Sequence, residues 1–138
     1  MTAQTQATAR FAIPRGEALV RLSLNLDAAV TGANGVAYLA AADALDGVLG
    51  VPAGFLRALG AFLVAFAAFA AFTATRANVS RSAVLGIVAV NVLWVIDSVA
   101  FAILDLHTPD TAGTIWTLIQ ALTVAQFAAL QYYAVTRR

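Results

Sequence analysis

Residues 83–104, AVLGIVAVNVLWVIDSVAFAIL, form an apolar run of 22 residues whose one formal charge, Asp97, sits well inside it. About 20 such residues suffice to cross the ~30 Å hydrocarbon core of a bilayer as a single helix. The run therefore reads as a membrane span. At ~100° per residue, Asn91, Trp94, Asp97 and Ser98 share about one third of its circumference, and that polar face must point at other protein.

The rest of the chain agrees with a membrane setting. Its 138 residues are 62% hydrophobic and 11% charged, against roughly 25% charged in a soluble domain. That balance leaves no room for a separate soluble domain. All eight basic residues are Arg, and Ala is abundant, which points to a GC-rich bacterial genome; with the span-length apolar runs, the expected location is a bacterial cytoplasmic (inner) membrane, crossed several times. The lipid bilayer is thus the first expected partner. A net charge of +1 argues against nucleic acid. The absence of Cys excludes disulfides, thiol redox chemistry and Cys-ligated metals.

Three further apolar stretches have the length of spans, at about 18–42, 52–73 and 112–135, preceded by a polar tail over 1–16 read as cytoplasmic. Asp43 to Val51, with two acids and two glycines, reads as a turn before Pro52. In the second stretch Gly54, Ala58, Ala61, Ala65 and Ala68 form a small-residue stripe expected against protein, and Phe55, Phe62, Phe66 and Phe69 a stripe expected against lipid. Seven of the eight Arg, all but Arg57, fall on one side of four alternating spans. The positive-inside rule then places both termini in the cytoplasm. The expected fold is an all-α, antiparallel up-down-up-down four-transmembrane-helix bundle, N-in/C-in, forming one domain over 17–136.

An ionisable group in a bilayer costs on the order of 3 kcal/mol, so each needs a partner or a purpose. With a 1.5 Å rise per residue, Arg57, Asp97 and Gln120 lie ~8 to ~12 Å from the outer ends of their spans. Arg57 and Asp97 are the natural structural ion pair, with Gln120 beside them. Asp27, Asn91 and Gln126 form a second layer, ~13 to ~15 Å from the opposite ends. Asp27 has no cation at its own depth. With Ser23, Thr31, Asn34 and Tyr38 it makes a polar stripe along the first span, lining either a water-filled cavity or a hydrogen-bonded seam. The expected polar core is Asp27, Thr31, Asn34, Asn91, Gln120 and Gln126.

The chemical inventory disfavours catalysis. The sole histidine, His107, lies in a short acidic loop that offers too few ligands for a metal, and no Ser/His/Asp set can be assembled. No enzyme activity, metal or cofactor is expected. Leu26-Asp27-Ala28, Leu49-Gly50-Val51-Pro52, Arg57 and Asn91-Val92-Leu93-Trp94 together resemble a group of small four-helix integral membrane proteins of actinobacteria and proteobacteria, for which no activity is named. That resemblance covers most of 18–136 and implies a fold without a function. Length and helix count are also similar to small multidrug-resistance transporters, in which Asp27 would be the counterpart of the acidic residue in the first helix. Here the acid is Asp instead of Glu and the helices are longer, so no site is carried over. Two readings follow: a non-catalytic accessory or scaffolding bundle with a homo-oligomeric or membrane-protein partner, or a proton-coupled small-solute transporter working as an oligomer, with Asp27 as its coupling carboxylate.

Overall fold

The computed structural model describes residues 15–104 and 109–138. Five helices run through them: α1 (Glu17–Ala40), α2 (Ala42–Leu49), α3 (Ala53–Thr75), α4 (Arg81–Leu104) and α5 (Thr111–Arg137). Three of the five, α3, α4 and α5, are long and apolar enough to cross a membrane. This corrects the expected bundle of four transmembrane helices, and with it the N-in/C-in orientation that four crossings imply. The first stretch is a helix of 24 residues, but Ser23, Asn25, Asp27, Thr31 and Asn34 dilute its apolar content. The tail over 1–14, and His107 with Asp105, lie outside the described residues.

The second correction is α2. Asp43 and Asp46 do not mark a turn but sit in an eight-residue helix. The chain bends at Ala41, whose backbone (φ −123°, ψ 24°) leaves the helical region for one residue before α2 begins. Gly50, at φ 68°, then ends α2 in the left-handed conformation that glycine adopts without strain. A Cβ there would also stand 2.7 Å from the Asp110 nitrogen. That nitrogen donates to the Leu49 carbonyl (3.2 Å), which fastens the α2–α3 turn to the start of α5. Asp110 itself caps α5, accepting from the Gly113 amide at 2.8 Å.

Packing does not follow chain order. α1 packs chiefly on α3 and α4 on α5, with α1 and α5 joining the two pairs, whereas the consecutive helices α3 and α4 scarcely meet. The α1–α3 crossing is a backbone contact: a Cβ on Gly35 would lie 2.9 Å from the Gly60 carbonyl oxygen, and one on Gly60 2.8 Å from that of Gly35. Small residues permit such approach between helices in lipid. The buried stripe of α3 is accordingly Leu56, Gly60, Leu63, Ala67, Ala70 and Ala74. Gly54, Ala58, Ala61, Ala65 and Ala68, expected against protein, face outward instead. In a helix made almost wholly of Ala, Phe, Leu and Gly, several faces carry small residues, and size alone does not select the one that is buried.

The bundle buries several polar side chains and exposes many large apolar ones. Ser23, Asp27, Thr31, Thr73, Asn91, Ser98 and Gln131 are buried, while Leu26, Val36, Phe72, Leu93, Ile103 and Leu122 are exposed. A water-soluble domain would bear the cost of that exterior, but hydrocarbon does not penalise it. Together with the three long apolar helices, it marks the chain as a membrane protein. Two apolar clusters stabilise the ends. One gathers Val20, Leu24, Ala70, Val84, Ile87 and Val135, and the other Tyr38, Leu49, Val51, Leu56 and Leu63.

At the end formed by the start of α1, Arg21 reaches across to the C-terminus of α3. Its guanidinium donates to the carbonyls of Ala74 (2.6 Å), Arg76 (2.7 Å) and Ala77 (3.0 Å), and to Glu17 (2.5 Å). The Ala74 and Arg76 carbonyls are among those a helix end leaves without an intrahelical donor, and Ala77 follows directly, so Arg21 caps α3 from a neighbouring helix.

Candidate polar site and cleft

Asp27 sits on the inward face of α1 and is fully buried. Its two oxygens accept three hydrogen bonds. Thr31, one turn later, donates its hydroxyl at 2.8 Å. Asn91 of α4 donates at 2.8 Å and Gln131 of α5 at 2.7 Å, both to the second oxygen. Asn91 also donates to the Gln131 carbonyl oxygen at 3.0 Å, closing a triangle across three helices. Among the described residues no cation takes part. Among the described residues no buried side-chain nitrogen or oxygen lacks a partner, so the desolvation of these groups is offset by bonds to one another.

Gln131 is the member that sequence reasoning missed, and Gln126, proposed for that layer, is exposed. A signal was there: Gln131 lies eleven residues after Gln120, a spacing that returns to within about 20° of the same helix face, whereas Gln126 is displaced by about 120°.

No known protein family, curated protein or solved structure matches the chain.

A second polar group lies further along α1. Asn34 donates to Gln120 (2.9 Å), Gln120 donates to the Tyr38 hydroxyl (2.6 Å), and the Trp116 indole N–H donates to that same hydroxyl (2.9 Å). The group borders a cleft of about 620 Å³, lined also by Thr31, Asn91, Trp94 and Val124, that occupies the space left where α3 and α4 diverge. A smaller cavity of about 350 Å³ shares Tyr38, Trp94, Trp116 and Gln120 with it and extends to Asp97, Ser98 and Phe101. Aromatic stacks bridge α3 and α4: Phe62 on Trp94 (centroids 6.2 Å) and Phe55 on Phe101 (6.1 Å). Phe62 and Phe66, expected to face lipid, line the larger cleft.

Arg57 and Asp97 are not brought together. Arg57 donates to Asp43 of α2 at 2.8 Å, in an ion pair with both side chains largely exposed. Asp97 is exposed beside the smaller cavity. Matching depth was the basis for pairing them, but depth ignores direction: α3 and α4 diverge, and the unforeseen helix α2 brings Asp43 within reach instead. Gln120, placed beside that pair by depth, bonds to Asn34 and Tyr38.

Proposed function

We propose that the chain is a non-catalytic accessory or scaffolding subunit of a bacterial cytoplasmic membrane, of the kind its sequence resembles, holding itself rigid around Asp27 and offering its outer surface to another membrane protein. The observation that carries this reading is the state of Asp27. A proton-coupling carboxylate must exchange protons with water, yet Asp27 is fully buried, is filled by three donors and lines neither cleft. It is a joint between α1, α4 and α5.

The outward stripe Gly54, Ala58, Ala61, Ala65 and Ala68 on α3 supports the accessory role, because small residues are what a second helix packs against in lipid. The transporter reading retains one supporting feature, that Thr31 and Asn91 border both Asp27 and the larger cleft.

Native gel migration of membranes dissolved in mild detergent tests the proposal. The chain is expected to migrate in a complex larger than itself, and Ala61→Phe with Ala65→Phe is expected to release it. Migration as a lone chain, or a complex indifferent to both substitutions, would overturn the accessory reading.

A further inference from the structure

We propose that the 620 Å³ cleft between α1, α3, α4 and α5 is a binding site for a neutral, lipid-soluble molecule with a long apolar body and one carbonyl or hydroxyl group. This goes beyond the accessory role and does not use Asp27. The volume lies within the roughly 300–1,000 Å³ typical of small-molecule sites. None of the residues lining it is charged, and its walls are largely aromatic and aliphatic, including Phe62, Phe66, Trp94 and Trp116.

The polar group at the cleft is built but incomplete. Tyr38 is 5% exposed, and its hydroxyl accepts from Trp116 and Gln120. Its own proton has no acceptor among the described residues, and the side-chain oxygen (Oδ1) of Asn34 has no donor among them. The site thus offers one donor and one acceptor at the wall of an otherwise apolar space. A ligand carbonyl would take the Tyr38 proton, and a ligand hydroxyl would satisfy both groups.

Depth decides the rest of the chemistry. Phe62, 47% exposed, stands on the rim of the cleft, ~14 Å into α3 at 1.5 Å per residue, and Trp94 lies ~20 Å into α4. The cleft is therefore entered from the hydrocarbon region, which admits an uncharged lipid and excludes a free ion.

The chain provides its own reporter, since its two tryptophans, Trp94 and Trp116, both line the cleft. The probe is the methyl ester of stearic acid carrying a nitroxide at carbon 5, added to the protein in phosphatidylcholine nanodiscs. A phosphatidylcholine labelled at the same carbon reports contact from bulk lipid. The ester is expected to quench tryptophan fluorescence saturably and to be displaced by unlabelled methyl stearate. Tyr38→Phe, which removes the donor, should weaken that binding about fivefold, the equivalent of one neutral hydrogen bond. Ala37→Phe, which adds a ring at the cleft wall and keeps every member of the polar group, should abolish saturation. Quenching that rises linearly with probe, at the slope of the labelled phosphatidylcholine, would overturn the proposal. So would saturable binding that neither variant alters.

Discussion

Asp27 and Gln131, 104 residues apart in sequence, meet through a 2.7 Å hydrogen bond in which the Gln131 amide donates to the carboxylate. The bond ties the last turns of α5 to the middle of α1, and Asn91 braces both partners. Replacing Gln131 with Leu removes a donor from a buried carboxylate and an acceptor from Asn91, which should cost about 1–3 kcal/mol. Asn91→Leu should cost a similar amount. Because both act on one oxygen of Asp27, the double variant should depart from the sum of the two. Unfolding in detergent, followed by circular dichroism, checks this. Strict additivity would show that the triangle does not act as a unit.

The α1–α3 crossing predicts a sharp contrast among glycines. Gly35→Ala and Gly60→Ala each place a Cβ within 2.9 Å of backbone oxygen on the facing helix, so the helices must separate, at about 1–3 kcal/mol. Gly54→Ala and Gly86→Ala meet nothing within 4 Å, and should be neutral or stabilising by the gain in helix propensity. Melting temperatures of the four variants in one detergent measure the contrast.

Arg21 should matter through geometry as well as charge. Its guanidinium serves three carbonyls at the end of α3, which a lysine ammonium on a flexible stem cannot reproduce at once. Arg21→Lys should therefore lower stability by about 1 kcal/mol, and Arg21→Leu by more. Equal stability of Arg21→Lys and the unaltered chain would show that charge alone suffices.

The apolar runs were legible in the sequence because lipid imposes length and hydropathy with little room for exception, and α3, α4 and α5 have near the expected limits. The eight-residue α2 was hidden, since its Asp43, Asp46 and Gly47 are the residues of a turn, and only its packing on α3 and α5 makes it a helix. Asn91 stood out as a lone amide in an apolar run. Gln131 lies near the end of the last apolar run, beside Tyr132 and Tyr133, where polar and aromatic side chains are common in a span, so residue type alone did not single it out. The cleft was beyond reach for a different reason: nothing in the order of four helices says that the second and third long apolar stretches, consecutive in sequence, diverge in space.

The exposed Arg57–Asp43 pair should contribute little. Ion pairs in contact with solvent are typically worth less than about 1 kcal/mol, and Arg57 and Asp43 side chains are 49% and 84% exposed. Arg57→Leu should shift the unfolding midpoint far less than Gln131→Leu does. A larger loss from Arg57→Leu would reveal a buried role for this cation.

Asp27 is where the account stands or falls, and the comparison of Asp27→Asn with Asp27→Leu by thermal unfolding in detergent tests it directly. Asparagine can keep the arrangement: its carbonyl oxygen accepts from Asn91 and Gln131, and its amide donates to the Thr31 hydroxyl, which can turn to accept. Leucine leaves both amide donors facing an apolar group. A structural acceptor predicts that Asp27→Asn unfolds within about 1 kcal/mol of the unaltered chain, while Asp27→Leu loses about 2 kcal/mol or more. If Asp27→Leu is as stable as the unaltered chain, Asp27 does not hold the three helices together, and its burial must serve something other than structure.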